Sequence, residues 1–73
     1  MILTFRADKM LSRLEREGRT GEIDPESMKM IRMLDGEPAN DYNWKGVVDM
    51  EPLALIAATD KHPAMYVNIA DCD

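Results

Sequence analysis

The five residues Leu34-Asp35-Gly36-Glu37-Pro38 divide this chain into two stretches that cannot share one kind of secondary structure. A glycine just past an apolar-periodic run supplies the left-handed conformation that ends a helix. A proline two residues later has no N–H to donate and stops the helix from resuming. Upstream, the apolar residues recur at helical spacing. Downstream they fall in short runs separated by turn residues. The segment therefore predicts a helical half, 1–35, followed by a strand half, 38–73.

Two helices are expected before the break. Ala7, Met10, Leu11 and Leu14 fit the i, i+3, i+4, i+7 template within residues 4–17. Leu3 shares that face and Phe5 falls opposite it, so either the helix starts only after Phe5, with Met1–Phe5 extended, or Phe5 reaches over an end of the sheet; Thr4 is a candidate N-cap. Gly18 stands where a helix C-terminus needs it. The second helix has a clear start: Asp24 as N-cap, Pro25 at the first helical position and Glu26 near the positive dipole end. Ile23 and Met28 have hydrophobic-staple spacing. Met30, Ile31 and Leu34 form the main buried face, with Met28 and Met33 to its sides.

After the break, Ala39–Tyr42 reads as loop. Residues 44–50 read as a strand with a bulge at Gly46, and Trp44 as a core residue. Leu53–Thr59 suits either a short buried strand or a third helix, and the strand is favoured by its length and neighbours. Asp60-Lys61-His62-Pro63 is of hairpin-loop length. Ala64–Ile69 is the clearest strand, with Met65, Val67 and Ile69 on one face and Tyr66, Asn68 and Ala70 on the other. Asp71-Cys72-Asp73 reads as a frayed polar end. The expected class is α+β: two N-terminal helices packed on a small antiparallel C-terminal sheet of about three strands. With 73 residues this is one small domain.

The motif set Leu34-Asp35-Gly36, Trp44, Val47, Glu51-Pro52, Tyr66-Val67-Asn68 and Asp71-Cys72 resembles small uncharacterised accessory proteins of conjugative and other mobile elements in gut Gram-positive bacteria. The resemblance covers nearly the whole chain. It implies a bacterial cytoplasmic accessory protein, and it carries no known activity to transfer.

Charge follows the same divide. Residues 1–34 hold seven cations against six anions, and residues 35–73 hold two against eight, giving +1 and −6 within a total of −5. Arg6, Lys9, Arg13 and Arg16 fall at steps of three, four and three on one flank of the first helix. That stripe could contact phosphates, or it could be a solvated flank with some charges paired to the acidic second half. Against nucleic acid stand the net charge and the lack of interleaved aromatics or a recognised motif. The acidic half, with Asp35, Glu37, Asp41, Asp49, Glu51 and Asp60, could act as a decoy for a basic groove or simply keep the chain soluble.

Enzymatic chemistry is not expected. There is no phosphate loop, dinucleotide loop or serine elbow. Cys72 is the one cysteine, so neither a disulfide nor a multi-cysteine zinc site is available. A Cys72–His62 pair, or a metal held by Asp60, His62, Asp71, Cys72 and Asp73, would rest on a chain end without rigid support. Met1–Phe5 runs straight into Arg6, Asp8 and Lys9, unlike a signal peptide, and no apolar run nears the roughly 18 residues of a membrane span. These features predict a cytoplasmic protein with no catalytic, cofactor or metal residue. Its expected work is binding another protein through Met33, Trp44 and Tyr66. The alternatives are nucleic-acid regulation through Arg6, Lys9, Arg13 and Arg16, or acidic decoy inhibition.

Overall fold

The computed structural model describes residues 2–43 and 52–73. The elements run β1 (Leu3–Thr4), α1 (Ala7–Arg16), a 3-10 turn at Thr20–Glu22, α2 (Pro25–Leu34), β2 (Pro38–Asn43), β3 (Pro52–Ile56), β4 (Met65–Asn68) and a second 3-10 turn at Ile69–Asp71. The expected α+β class holds, and the sheet has four antiparallel strands in the order β1-β2-β3-β4 rather than about three.

The additional strands come from two places. The N-terminal residues are extended, and Leu3 and Thr4 pair with Ala39 and Pro38. The stretch expected to be loop, Ala39–Tyr42, lies inside β2, which pairs with β1 on one side and with β3 on the other. Residues with weak strand preference extend there because tertiary pairing outweighs propensity. Pro38 is tolerated as the first residue of the strand. The ambiguous segment after Pro52 is strand, with Leu53, Ala54 and Ile56 buried. It ends at Ile56, short of the expected Thr59. The expected strand over 44–50, the Gly46 bulge and Trp44 lie outside the described residues.

α1 starts after Phe5, at Ala7, the first of the two arrangements the spacing allows, and Thr4 is not its cap. Arg6 occupies the N-cap position with extended backbone and no capping side-chain bond. The cap comes from elsewhere: the Asp35 carboxylate accepts the Ala7 N–H at 2.8 Å. α2 starts as expected, with Asp24 accepting the Ser27 N–H at 2.7 Å and Pro25 behind it. That hydrogen bond holds the Asp24 carboxyl below its ordinary range. Gly18 and Gly36 end the two helices with φ of +68° and +85°.

The chain end is anchored, not frayed. Phe5 forms an isolated bridge with Cys72, and Thr4 and Asp73 exchange both backbone hydrogen bonds at 2.9 Å. Main-chain groups near the sheet need partners, and β1 is too short to supply them from β2 alone. The residues after β4 therefore turn back to the far side of β1. Between helices and sheet lies one apolar core centred on Phe5, Leu34 and Ile56, all essentially inaccessible to solvent, joined by Ile31, Ala54 and Val67.

Candidate functional site

α1 presents two flanks with opposite fates. On the first, Arg6, Lys9 and Arg13 face the returning chain end. The Asn68 side chain accepts the Ala70 N–H at 2.9 Å and so starts the second 3-10 turn, which carries Asp71 under α1. Arg13 grips Asp71 through two parallel bonds, Nε to Oδ1 at 2.8 Å and Nη2 to Oδ2 at 2.9 Å. The Asp71 side chain is 1% exposed and that of Arg13 16%. Hydrogen bonding to Asp71, offset by burial, raises the Arg13 pKa further and keeps the guanidinium charged. Outside this pair, Asp73 receives Arg6 Nη1 at 2.7 Å and Lys9 Nζ at 2.9 Å. Lys9 also donates to the Cys72 carbonyl at 3.1 Å. The Lys9 and Arg6 contacts hold the Asp73 carboxyl below its ordinary range. Arg16 has no ion pair among the described residues.

The basic stripe is thus real as a row and mostly satisfied from within the chain. Arg6, Lys9 and Arg13 spend their charge on Asp71 and Asp73. The acidic row is likewise divided. Asp35 is bound to the Ala7 N–H, and Glu37 lies 3.8 Å from the His62 ring. The Asp41 side chain, Asp49 and Glu51 fall outside the described residues.

The other flank is apolar and open. Met10 and Leu14 of α1, Ile23, Met30 and Ile31 at α2, and Met65 of β4 line a groove of about 280 Å³. Its polar rim includes Arg19 and Glu22. A second hollow of about 210 Å³ shares Met10, Arg13, Arg19 and Met65 with it and continues to Tyr66, Leu53 and Val67. Tyr66 is 42% exposed at that end. Arg19 bonds Glu22 at 2.9 Å and Glu17 at 3.0 Å, which lowers both carboxyl pKa values. Glu17 is also shared with Arg13 at 3.2 Å.

Of the residues named from sequence, Tyr66 lies at the groove, and Arg13 lies between groove and chain end. Met33 is 38% exposed on α2 and lines neither hollow. Trp44 is outside the described residues. Sequence reasoning missed the groove as a unit. Its signal was present in Met10, Met30 and Met65, three flexible side chains on the predicted apolar faces. Nothing in the spacing shows that they converge.

His62 and Cys72 have separate partners. His62 Nδ1 bonds the Pro63 carbonyl at 2.9 Å, and the Cys72 thiol is directed to the Asn68 carbonyl at 3.9 Å. Burial pushes the Cys72 thiol pKa up, the direction of an unreactive cysteine. Among the described residues no three of His, Cys, Asp and Glu are grouped to hold a metal ion. No helix among them is long and apolar enough to cross a membrane. No protein-family model matches the chain, and neither a curated protein nor a solved structure does.

Proposed function

We propose that this chain is a non-enzymatic, cytoplasmic protein-binding module whose groove receives a basic amphipathic helix of a partner protein. The observation that supports this reading is the methionine-lined hollow between α1, α2 and β4, continuous toward Tyr66. Thioether side chains adapt to varied apolar shapes, and a groove flanked by two helices suits helix insertion. The volume accommodates a few apolar side chains. Charge selects the basic helix. Glu22, 61% exposed, lines the groove and shares Arg19 with Glu17, 43% exposed, while the whole chain carries −5. Cations flanking a partner's apolar face would meet those carboxylates, and the net charge would speed the encounter.

The test is capture from nuclease-treated lysate by the tagged wild-type chain and two folded variants. Met65→Glu, which puts a carboxylate in the groove, should abolish capture of the protein that the wild type retains. Arg16→Glu should leave it intact. Loss with Arg16→Glu and retention with Met65→Glu would overturn this reading in favour of the cationic stripe. Circular dichroism confirms that both variants fold.

A further inference from the structure

His62 is an anomaly in the loop between β3 and β4. Ile56 ends one strand and Met65 starts the next, and between them Asp60, Lys61, Pro63 and Ala64 are exposed. His62 alone is turned inward, its side chain 1% exposed. The loop is shaped around it: Thr59 N–H donates to the His62 carbonyl at 2.9 Å, and Lys61 N–H donates to the Thr59 hydroxyl at 3.1 Å.

The ring chemistry is unbalanced. The Pro63 carbonyl can only accept, so Nδ1 must carry the hydrogen at 2.9 Å. In the neutral ring Nε2 is then a bare acceptor. It is buried with no hydrogen-bond partner among the described residues. Among the described residues the group facing it is the Glu37 carboxylate, Oε2 at 3.8 Å, also an acceptor. Buried polar atoms are nearly always bonded, so this one calls for a reason. A proton on Nε2 removes the mismatch, because an N–H would then point at a carboxylate. The distance is too long for a hydrogen bond as it stands and would close to make one.

Glu37 belongs to the segment that organises the fold. Its carbonyl accepts the Phe5 N–H at 3.0 Å, and the adjacent Gly36 N–H donates to the Phe5 carbonyl at 2.8 Å. Asp35 in the same segment is committed to α1. The loop's own Asp60 and Lys61 are exposed, which leaves Glu37 as the charged partner of the ring among the described residues.

We propose that His62 and Glu37 form a proton-operated latch between the β3–β4 loop and the α2–β2 junction. With Nε2 bare the contact is acceptor against acceptor and the loop is loosely held. With Nε2 protonated the imidazolium donates to Glu37 and draws the loop onto the junction. The device is independent of the groove.

Amide exchange followed by NMR tests it. The Thr59 N–H reports the loop, and its protection factor, corrected for intrinsic exchange, should be roughly tenfold higher at pH 5.5 than at pH 8. Glu37→Gln keeps the shape and removes the charge, and should flatten that dependence. In the wild-type chain at pH 8 the ring nitrogen shifts should report hydrogen on Nδ1, the minority tautomer of free histidine. An Nε2–H tautomer at pH 8, equal Thr59 protection at both pH values, or an unchanged profile in Glu37→Gln would each overturn the proposal.

Discussion

The two flanks of α1 are built from the same ten-residue helix and meet different ends. One is mostly satisfied by charge: Arg6, Lys9 and Arg13 are bound by Asp71, Asp73 and the Cys72 carbonyl. The other, through Met10 and Leu14, opens onto a groove that the described residues leave uncovered. The lesson is that a conspicuous charge row need not be the binding surface. Fixed charges seek partners within the fold whenever the topology brings carboxylates near. Apolar side chains at a margin can stay half-buried at small cost, because exposed apolar atoms are ordinary on protein surfaces. In this chain the quieter flank has the unfilled space.

The sharpest way to break the comparison is at Asp71. If the charged flank is structural, Asp71→Asn should destabilise the chain by about 3 kcal/mol, because Arg13 is left charged and largely dry without its bidentate partner. Urea denaturation followed by circular dichroism measures this. A loss below about 1 kcal/mol would return Arg13 to the pool of cations available to a ligand.

A smaller effect is expected at the junction that holds both flanks in place. Gly36 has φ of +85°, and a Cβ there would touch nothing within 4 Å. The whole penalty of Gly36→Val is therefore backbone strain, about 1 kcal/mol or more, readable as a lower denaturation midpoint. No loss would mean that the helix does not end through a left-handed residue.

That glycine was legible in sequence, and so were Asp24-Pro25, the two helices and the α+β class. Each is a local signal: a cap, a forbidden N–H, a period of 3.6. What the sequence left unread is long-range. Asp35 caps α1 from 28 positions away, and Arg13 meets Asp71 from 58. No spacing rule connects such residues, since their proximity is created only after β1 is flanked by β2 and the chain end. Ala39–Tyr42 was misjudged for the same reason. Its strand character comes from two neighbours, not from its side chains. The anchored tail misled the reading of Asp71 in the opposite sense, as a polar end residue that is in fact buried.

The smallest effect belongs to Asp73, and it sharpens the comparison inside the charged flank itself. Asp73 is 51% exposed and its cations Arg6 and Lys9 are about as exposed, so solvent and salt screen the contacts. Asp73→Asn should therefore lower stability far less than Asp71→Asn, and added salt should narrow the gap to wild type. Its pH dependence has a definite sign. Lys9, then Arg6, hold the Asp73 carboxyl below its ordinary value, so the native chain binds that proton less readily than the unfolded one. The stabilisation is present above the ordinary carboxylate range, near about pH 4, and is lost as pH falls through the lowered native value. Thermal melts of wild type and Asp73→Asn at pH 7 should differ slightly and should converge on acidification below about pH 4. A gap that persists to low pH would show that Asp73 acts through its backbone pairing with Thr4 rather than through charge. The outer half of the flank would then be a strand contact, and Arg6 and Lys9 would be displaceable cations beside a fixed Arg13.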